Sequence, residues 1–196
     1  MKKSLLVSLL ALTACAPSTA TVQSTDYLNS NAQHSANVST LYALASIGTG
    51  TGIEFKWLDS TGISHKLSEY QGSKPVVLVF GKTSDSYSTA QYASLDSVRS
   101  EMGDSVGTIA FADDNAPTNF NTVTSYVSAH HFLSQFITDS TQRVEIQFAT
   151  AGLSGPTYYV TESLVLGKDG KLVTNGFTAG PAYKDTLEAR VRQAYK

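Results

Sequence analysis

The pattern of apolar and polar residues predicts strands at the start of the patterned region. Phe55 and Trp57 alternate with polar neighbours, a turn-forming segment follows at residues 59–62, and the chain returns through residues 63–67. This alternation on either side of a turn predicts a β-hairpin. Residues 76–80 then form a continuous apolar run, which is typical of a central strand buried on both faces of a sheet.

Helical and strand spacings alternate along the rest of the chain. The predicted elements are, in order, a helix with Tyr92, Leu95, Val98 and Met102 on one side, a strand at 107–111, a helix with Phe120, Val123, Tyr126 and Val127, a short third helix after Asp139 with Val144 and Phe148, a hairpin of 163–166 and 171–174, and a last helix with Tyr183, Leu187 and Val191 facing inward. This order predicts an α/β fold with a central mixed sheet flanked by helices.

The segment before the hairpin has much weaker patterning. Residues 16–37 are rich in Ser, Thr, Asn, Gln and Ala, and such a composition predicts a flexible tether because it buries little apolar surface. Residues 38–47 carry three apolar residues at helical spacing and predict one short helix. The glycine-rich residues 48–52 are interpreted as a connector.

The first residues have the features of a targeting segment. Two lysines precede an apolar stretch at residues 4–12, which is too short to span a bilayer. The run Leu-Thr-Ala-Cys that ends at Cys15 resembles the bacterial lipobox, in which signal peptidase cuts before the cysteine and lipid is attached to its sulfur. The alternative is an ordinary secretory signal cut near Ala14, which leaves Cys15 as a thiol.

Lipid on Cys15 implies that the chain has a membrane as a partner and lies in the cell envelope. Because residue 16 is Ala rather than Asp, the resemblance implies the periplasmic face of the outer membrane if the source is Gram-negative. The predicted organisation is a signal peptide at 1–14, a lipidated N-terminus with a tether at 15–52, and one folded domain at 53–196.

Composition excludes some classes of partner and cofactor. With a formal net charge of −2, the chain lacks the broad basic surface that binding to nucleic acid requires. Gly81-Lys82-Thr83 follows a buried strand as a phosphate-binding loop does, but Val76 stands where that motif needs its first glycine. We therefore interpret this segment as a helix start and expect no cofactor.

The cysteine count limits redox chemistry. The chain contains one Cys, which is Cys15. If its sulfur carries lipid, the mature protein has no thiol. A thiolate is the nucleophile in thiol–disulfide exchange, and a dithiol cycle requires two cysteines. The count therefore predicts that this cycle is absent.

An ordered set of residues from the hairpin to the buried strand carries a family resemblance. The set is Phe55, Asp59, Gly62, Leu67, Tyr70 and Gly72, followed by Lys74-Pro75 and the apolar run. With this set, residues 53–195 resemble the redoxin branch of the thioredoxin superfamily. That branch holds membrane-anchored periplasmic thioredoxins of cytochrome c maturation and alkyl-hydroperoxide-reductase/thiol-specific-antioxidant proteins. The resemblance implies a thioredoxin-like fold with an N-terminal β-hairpin.

The active-site positions of that family have lost their sulfur in this chain. In the family the buried strand leads to two cysteines separated by two residues. Alignment without gaps places them on Asp85 and Ser88, with Ser86 and Tyr87 between. A peroxiredoxin-type T-x-x-C that begins at Thr83 would place its cysteine on Ser86 instead. Either alignment implies a degenerate active site, as in a pseudoenzyme.

Two further site assignments depend on position along the chain. The family has a cis-proline that faces its cysteines, and counting back from the Asp-Gly turn places Thr161 there, with Pro156 as the alternative. Asp113 and Asp114 end a predicted parallel strand, where α/β proteins bind ligands, and are a candidate ligand edge. The alternative for the two aspartates is that they are solvated carboxylates of a turn at the end of the strand.

These observations lead to two principal functional hypotheses. The first is a redox-inactive, lipid-anchored thioredoxin-fold protein that acts as a binding or adapter module for an envelope protein, through a surface around Asp85, Tyr87 and Thr161. The alternative is the thiol-disulfide oxidoreductase or peroxidase activity of the family. Metal binding by His130 and His131 with aspartates is disfavoured, because adjacent residues on a helix point in different directions.

Overall fold

The computed structural model describes residues 38–44, 54–59, 61–70, 72–112, 120–139, 144, 146, 162–177 and 183–195. The strands are β1 (Val38–Leu44), β2 (Phe55–Leu58), β3 (Ser64–Lys66), β4 (Val76–Gly81), β5 (Gly107–Ala112), β6 (Gln135–Thr138), β7 (Glu162–Leu166) and β8 (Leu172–Phe177). The helices are α1 (Ser86–Met102), α2 (Phe120–His130) and α3 (Tyr183–Ala194), with 3₁₀ turns at Leu67–Glu69 and Gly103–Ser105.

The described strands pair into one mixed sheet. Its order is β3-β2-β1-β6-β5-β4-β7-β8. The four middle strands, β1, β6, β5 and β4, run parallel to their neighbours within this group. The pairs β1–β2 and β2–β3 on one side, and β4–β7 and β7–β8 on the other, are antiparallel. The predicted α/β class with a central mixed sheet and a β2–β3 hairpin is therefore confirmed.

The strands β4 and β5 carry the core on both faces of the sheet, because every residue in them is buried. On one face, Val77 and Val79 lie in a cluster with residues of all three helices. On the other face, Leu78 and Phe80 lie in a cluster with Val144 and aromatic residues of β2. A strand that packs on both faces has no polar face, which explains its unbroken apolar run.

The helices present the apolar residues that the spacing indicated. Of the residues predicted to face inward, the following are buried: Tyr92, Leu95 and Val98 of α1, Val123 and Val127 of α2, and Tyr183, Leu187 and Val191 of α3. Burial of such a stripe is the main source of stability for a surface helix.

The helix predicted over residues 38–47 is wrong, since Val38–Leu44 forms β1. β1 pairs parallel with β6 and antiparallel with β2, so it has a hydrogen-bonding partner on each edge. Apolar spacing in so short a segment is compatible with a helix or a strand, and the tertiary pairing decides between them.

The position of β1 also corrects the predicted start of the domain. The sequence assigns 15–52 to the tether and 53–196 to the domain, whereas β1 lies inside the sheet and Val38 is fully buried. The tether assignment is therefore wrong for the residues of β1. The strand β6 is a further element that the sequence pattern did not predict.

Some predicted segments lie outside the described residues. They include the signal segment, Cys15, residues 16–37 and most of the third helix. Of that helix, Val144 is helical and buried, and its N–H donates to Asp139 Oδ2 at 2.8 Å. Among the helices that the structure describes, none has the length and apolar content needed to cross a membrane.

The turn of the β2–β3 hairpin is built on Asp59. Its Oδ1 accepts hydrogen bonds from the N–H of Thr61 at 2.8 Å, the hydroxyl of Thr61 at 2.7 Å and the N–H of Ile63 at 2.9 Å. Desolvation is the largest single influence and raises the pKa of Asp59. The hydrogen bonds from Thr61, His65 and Ile63 together outweigh it and lower the pKa from 3.8 to about 2.

This lowered pKa predicts a loss of stability in acid. The ionised Asp59 stabilises the folded state above its unfolded pKa of 3.8, and this contribution disappears as the pH falls towards about 2. Between about pH 5 and 2, urea unfolding of the wild type should lose on the order of 1 kcal/mol more stability than Asp59→Asn, after allowance for solvent screening. Parallel pH profiles for the two proteins would contradict this prediction.

A half-buried carboxylate joins α1 to the connection between α2 and β6. Asp96 accepts hydrogen bonds from the N–H of Leu133 at 2.5 Å, and from the N–H at 2.9 Å and hydroxyl at 2.5 Å of Ser134. Desolvation raises the pKa of Asp96 above its ordinary value, against the lowering effect of these hydrogen bonds and of Arg99. The connection therefore obtains its backbone hydrogen bonds from a side chain of α1.

Removal of the Asp96 carboxylate should destabilise the fold. Asp96→Ala leaves the buried Ser134 hydroxyl and two N–H groups without this acceptor, which should cost about 1–3 kcal/mol in urea denaturation. The matched control is Asp104→Ala, whose side chain is 86% exposed and pairs with Arg99. Its cost should be about 1 kcal/mol or less. An equal loss of unfolding free energy in the two variants would contradict a stabilising role for the hydrogen bonds to Asp96.

Candidate functional site

The candidate site lies where β4 ends and α1 begins. The chain leaves β4 at Gly81 and reaches Asp85, which is extended (φ −106°, ψ 128°) and is the N-cap of α1. Asp85 Oδ2 accepts a hydrogen bond from the N–H of Ser88 at 2.8 Å. Asp is among the preferred N-cap residues because its carboxylate satisfies an N–H that has no partner within the helix.

Ser88 completes a compact set of hydrogen bonds at this helix start. Its hydroxyl donates to Asp85 Oδ2 at 2.8 Å and accepts from the N–H of Lys82 at 3.0 Å. The Ser88 residue is 1% exposed. The two positions at which the family resemblance places cysteines are therefore joined by hydrogen bonds between a carboxylate and a hydroxyl.

Gly81 allows this close packing. A Cβ at Gly81 would lie 2.6 Å from Ser88 Oγ and 2.9 Å from the hydroxyl oxygen of Tyr92. The Tyr92 hydroxyl donates to the carbonyl oxygen of Phe111 at 2.8 Å, in the buried interior. The space beneath the start of α1 is thus filled by Ser88 and Tyr92, and a larger residue than glycine would displace one of them.

The outer side of the same helix turn is open to solvent. Tyr87 is 71% exposed, which is the largest exposure among the large apolar side chains that the structure describes. Beside it, Thr89 Oγ1 and the Tyr126 hydroxyl on α2 lie within hydrogen-bonding distance at 2.8 Å. The exposed aromatic ring is therefore carried by a turn that is fixed to β4 through Lys82 and to α2 through Tyr126.

The structure brings four of the predicted site residues together. Asp85, Ser86, Tyr87 and Ser88 form the first turn of α1, with Ser88 inward and Tyr87 outward. Asp113, Asp114, Pro156 and Thr161 lie outside the described residues, so their assignments stay predictions.

The start of β7 lies at the same end of the sheet as this turn. Glu162, the first residue of β7, pairs antiparallel with Phe80 near the end of β4. Glu162 therefore lies at the end of β4 from which the chain leads into α1.

The adjacent histidines have different surroundings. The ring of His130 stacks on Phe132 with centroids 5.3 Å apart and approaches Tyr126 at 4.6 Å. His131 follows α2 with φ of +57°. Across the described ranges of the chain, no three His, Cys, Asp or Glu side chains are grouped so that they could hold a metal ion.

Sequence reasoning selected Asp85 and Ser88 but missed the bond between them. The available signal was an Asp three residues before a Ser at a predicted helix start, which is the spacing of an N-cap contact. The contact between Thr89 and Tyr126 spans 37 positions, and local pattern contains no signal for it.

No protein-family model and no curated protein sequence matches this chain. Solved structures do match it. A putative thioredoxin from Neisseria meningitidis has a TM-score of 0.60 at 17% identity, over 74% of this chain and 89% of that one. Peroxidoxin BcpB from Mycobacterium tuberculosis has a TM-score of 0.57 at 17% identity, over 81% of this chain and 99% of that one.

A secreted disulfide oxidoreductase of Mycobacterium tuberculosis is a further match. Its TM-score is 0.55 at 18% identity, over 71% of this chain and 95% of that one. Similarity at such identities concerns the fold, which this chain shares with a putative thioredoxin, a peroxidoxin and a disulfide oxidoreductase. The prediction made from the redoxin resemblance is confirmed at this level, and the chain has a thioredoxin-like fold.

Proposed function

We propose that this chain is a redox-inactive, lipid-tethered binding module of the cell envelope. The observation that carries the proposal is the hydrogen-bonded pair Asp85 and Ser88, to which the redoxin resemblance assigns the cysteine positions. The sequence contains one cysteine, Cys15, which the lipobox resemblance assigns to lipid attachment.

The chemistry of the site favours binding over redox catalysis. Thiol–disulfide exchange needs a thiolate that attacks a disulfide and a second thiol that resolves the mixed disulfide. A carboxylate and a hydroxyl cannot form or break a disulfide. In this chain both groups are engaged in capping α1, and the same hydrogen bonds stabilise the helix start.

The exposed ring of Tyr87 supports a binding surface at this turn. A tyrosine offers apolar contact area and a polar hydroxyl, and such residues are frequent anchors of protein interfaces. Because the turn is held to β4 and α2, Tyr87 requires little ordering of the backbone on binding. Asp85 on the same turn and Thr161 before β7 extend the proposed surface for an envelope protein.

The location in the envelope is supported by the N-terminal sequence. A lipidated Cys15 with two or more acyl chains would hold the chain stably on a membrane, where one chain would not. In a Gram-negative source, the residue after the cysteine favours the periplasmic face of the outer membrane. One of the structural neighbours is itself described as a secreted disulfide oxidoreductase.

The second candidate is a redoxin-type oxidoreductase or peroxidase. The similar structures favour it, since they include a disulfide oxidoreductase and a peroxidoxin. It would require a cysteine supplied by another protein or a reaction without thiols. Activity measurements separate the two candidates directly.

Restored cysteines should restore redox chemistry. The full wild-type chain should neither reduce insulin nor consume peroxide. The variant Asp85→Cys/Ser88→Cys should form a disulfide and gain insulin reduction, because a thiolate at a helix N-terminus is stabilised by the N–H groups and the helix dipole. Thiol titration before and after reduction, together with turnover assays, measures both effects.

The matched control is Asp85→Ala/Ser88→Ala, which loses the same cap without gaining sulfur. It should stay inactive and should lose about 1 kcal/mol of stability. Turnover by the wild-type chain would overturn the proposal and favour the redoxin activity. Failure of the double cysteine variant to form a disulfide would contradict the assignment of the two positions.

Truncation of Tyr87 should weaken partner capture. Full-length chain recovered from membranes with its cross-linked envelope partner should lose roughly tenfold or more of that partner in Tyr87→Ala, as expected for an aromatic anchor. The control is Ile63→Ala, since Ile63 is 59% exposed and directly precedes β3, which lies at the edge of the sheet. Equal recovery by wild type and Tyr87→Ala would exclude this surface.

A further inference from the structure

The β2–β3 hairpin holds a cluster of ionisable side chains that the candidate site does not use. In the register of the hairpin, Trp57 lies opposite His65, and their rings stack with centroids 5.8 Å apart and planes 22° apart. Trp57 is 1% exposed, whereas the side chain of His65 is 35% exposed. The imidazole therefore covers one side of the indole and meets solvent with its other side.

Each nitrogen of the His65 ring faces a carboxylate. Nε2 lies 3.1 Å from Asp59 Oδ2, and Nδ1 lies 3.2 Å from Glu69 Oε2. A carboxylate accepts hydrogen bonds, so both contacts are hydrogen bonds only when both ring nitrogens carry a proton. The geometry thus fits the imidazolium form, and the indole face beneath it also favours a cation.

The other charged groups of the hairpin do not compete for this ring. Lys56 and Lys66 lie opposite each other in the register at positions that alternate with Trp57 and His65, so they point to the other face of the sheet. Glu54 Oε1 accepts a hydrogen bond from the N–H of Ser68. The ion pairs that the structure describes for the imidazole are those with the two carboxylates.

The two carboxylates are held very differently. Asp59 is fixed in the hairpin turn by three further hydrogen bonds to its Oδ1 and has a side chain that is 21% exposed. Its pKa of about 2 keeps it ionised throughout the range in which an imidazole exchanges its proton, roughly pH 5 to 8. The side chain of Glu69, in the 3₁₀ turn, is 43% exposed.

We propose that His65 is a proton-operated latch between the hairpin and the 3₁₀ turn Leu67–Glu69. When the ring binds a proton, it bridges Asp59 and Glu69. When it loses that proton, one N–H stays on the rigid Asp59, and the bare nitrogen faces the Glu69 carboxylate. Two lone pairs then oppose each other, and Glu69 turns into solvent. The latch closes in acid and opens in mild base, independently of the proposed binding function.

The chain contains its own reporter of this change. Trp57 is the single tryptophan of the sequence and stacks on the titrating ring. Intrinsic fluorescence of the full chain, titrated from pH 8 to pH 5, should therefore show a one-proton transition. His65→Gln should lose the transition. Glu69→Gln should move its midpoint to lower pH, because the imidazolium loses one of its two anionic partners.

The matched control is His130→Gln, which removes an exposed imidazole on α2 and should leave the transition unchanged. Two-dimensional NMR of the His65 imidazole in the wild type gives the same midpoint without any substitution. A transition that persists in His65→Gln, or a midpoint that is identical in Glu69→Gln and wild type, would overturn the latch. An NMR midpoint that differs from the fluorescence midpoint would overturn it as well.

Discussion

The start of α1 depends on one interaction, the acceptance of two hydrogen bonds from Ser88 by the Asp85 carboxylate. This contact fixes the point at which the buried β4 turns into a helix. It also requires Gly81 beneath it, because a side chain there would collide with the Ser88 hydroxyl. The placement of Tyr87 outside and Tyr92 inside follows from the helix that this cap begins. Asp85 and Ser88, the positions to which the redoxin resemblance assigns cysteines, therefore have a structural role at this helix start.

Much of the fold could be predicted because each of its central elements has a hydrophobic pattern typical of its secondary structure. The apolar run of β4 reflects burial of both faces of that strand. The apolar stripe of α1 reflects burial of one side of that helix. β1 and β6 could not be predicted in this way. They pair with each other in parallel, and Val38 of β1 lies opposite Phe136 of β6, almost a hundred positions away in the chain. Their strand character comes from that partner rather than from their own pattern.

The sequence alone selects the first turn of α1 as a candidate site but says less about the contacts of its residues. Alignment with redoxins assigns the cysteine positions of that family to the first turn of α1, while the cap between Asp85 and Ser88 follows from the known preferences of helix starts. The contacts to Tyr126 and the bridge from Asp59 through His65 to Glu69 depend on how the elements pack. The spacing of residues along the sequence does not predict these contacts.

The order of the strands has a mechanical consequence. β1 is the link between the β2–β3 hairpin and the rest of the sheet, since it pairs with β2 on one edge and with β6 on the other. It is also the described strand nearest the N-terminus, so tension from an anchor at that end would reach β1 first. A pull strong enough to extract this strand would separate the hairpin from the parallel strands while the first turn of α1 stayed in place.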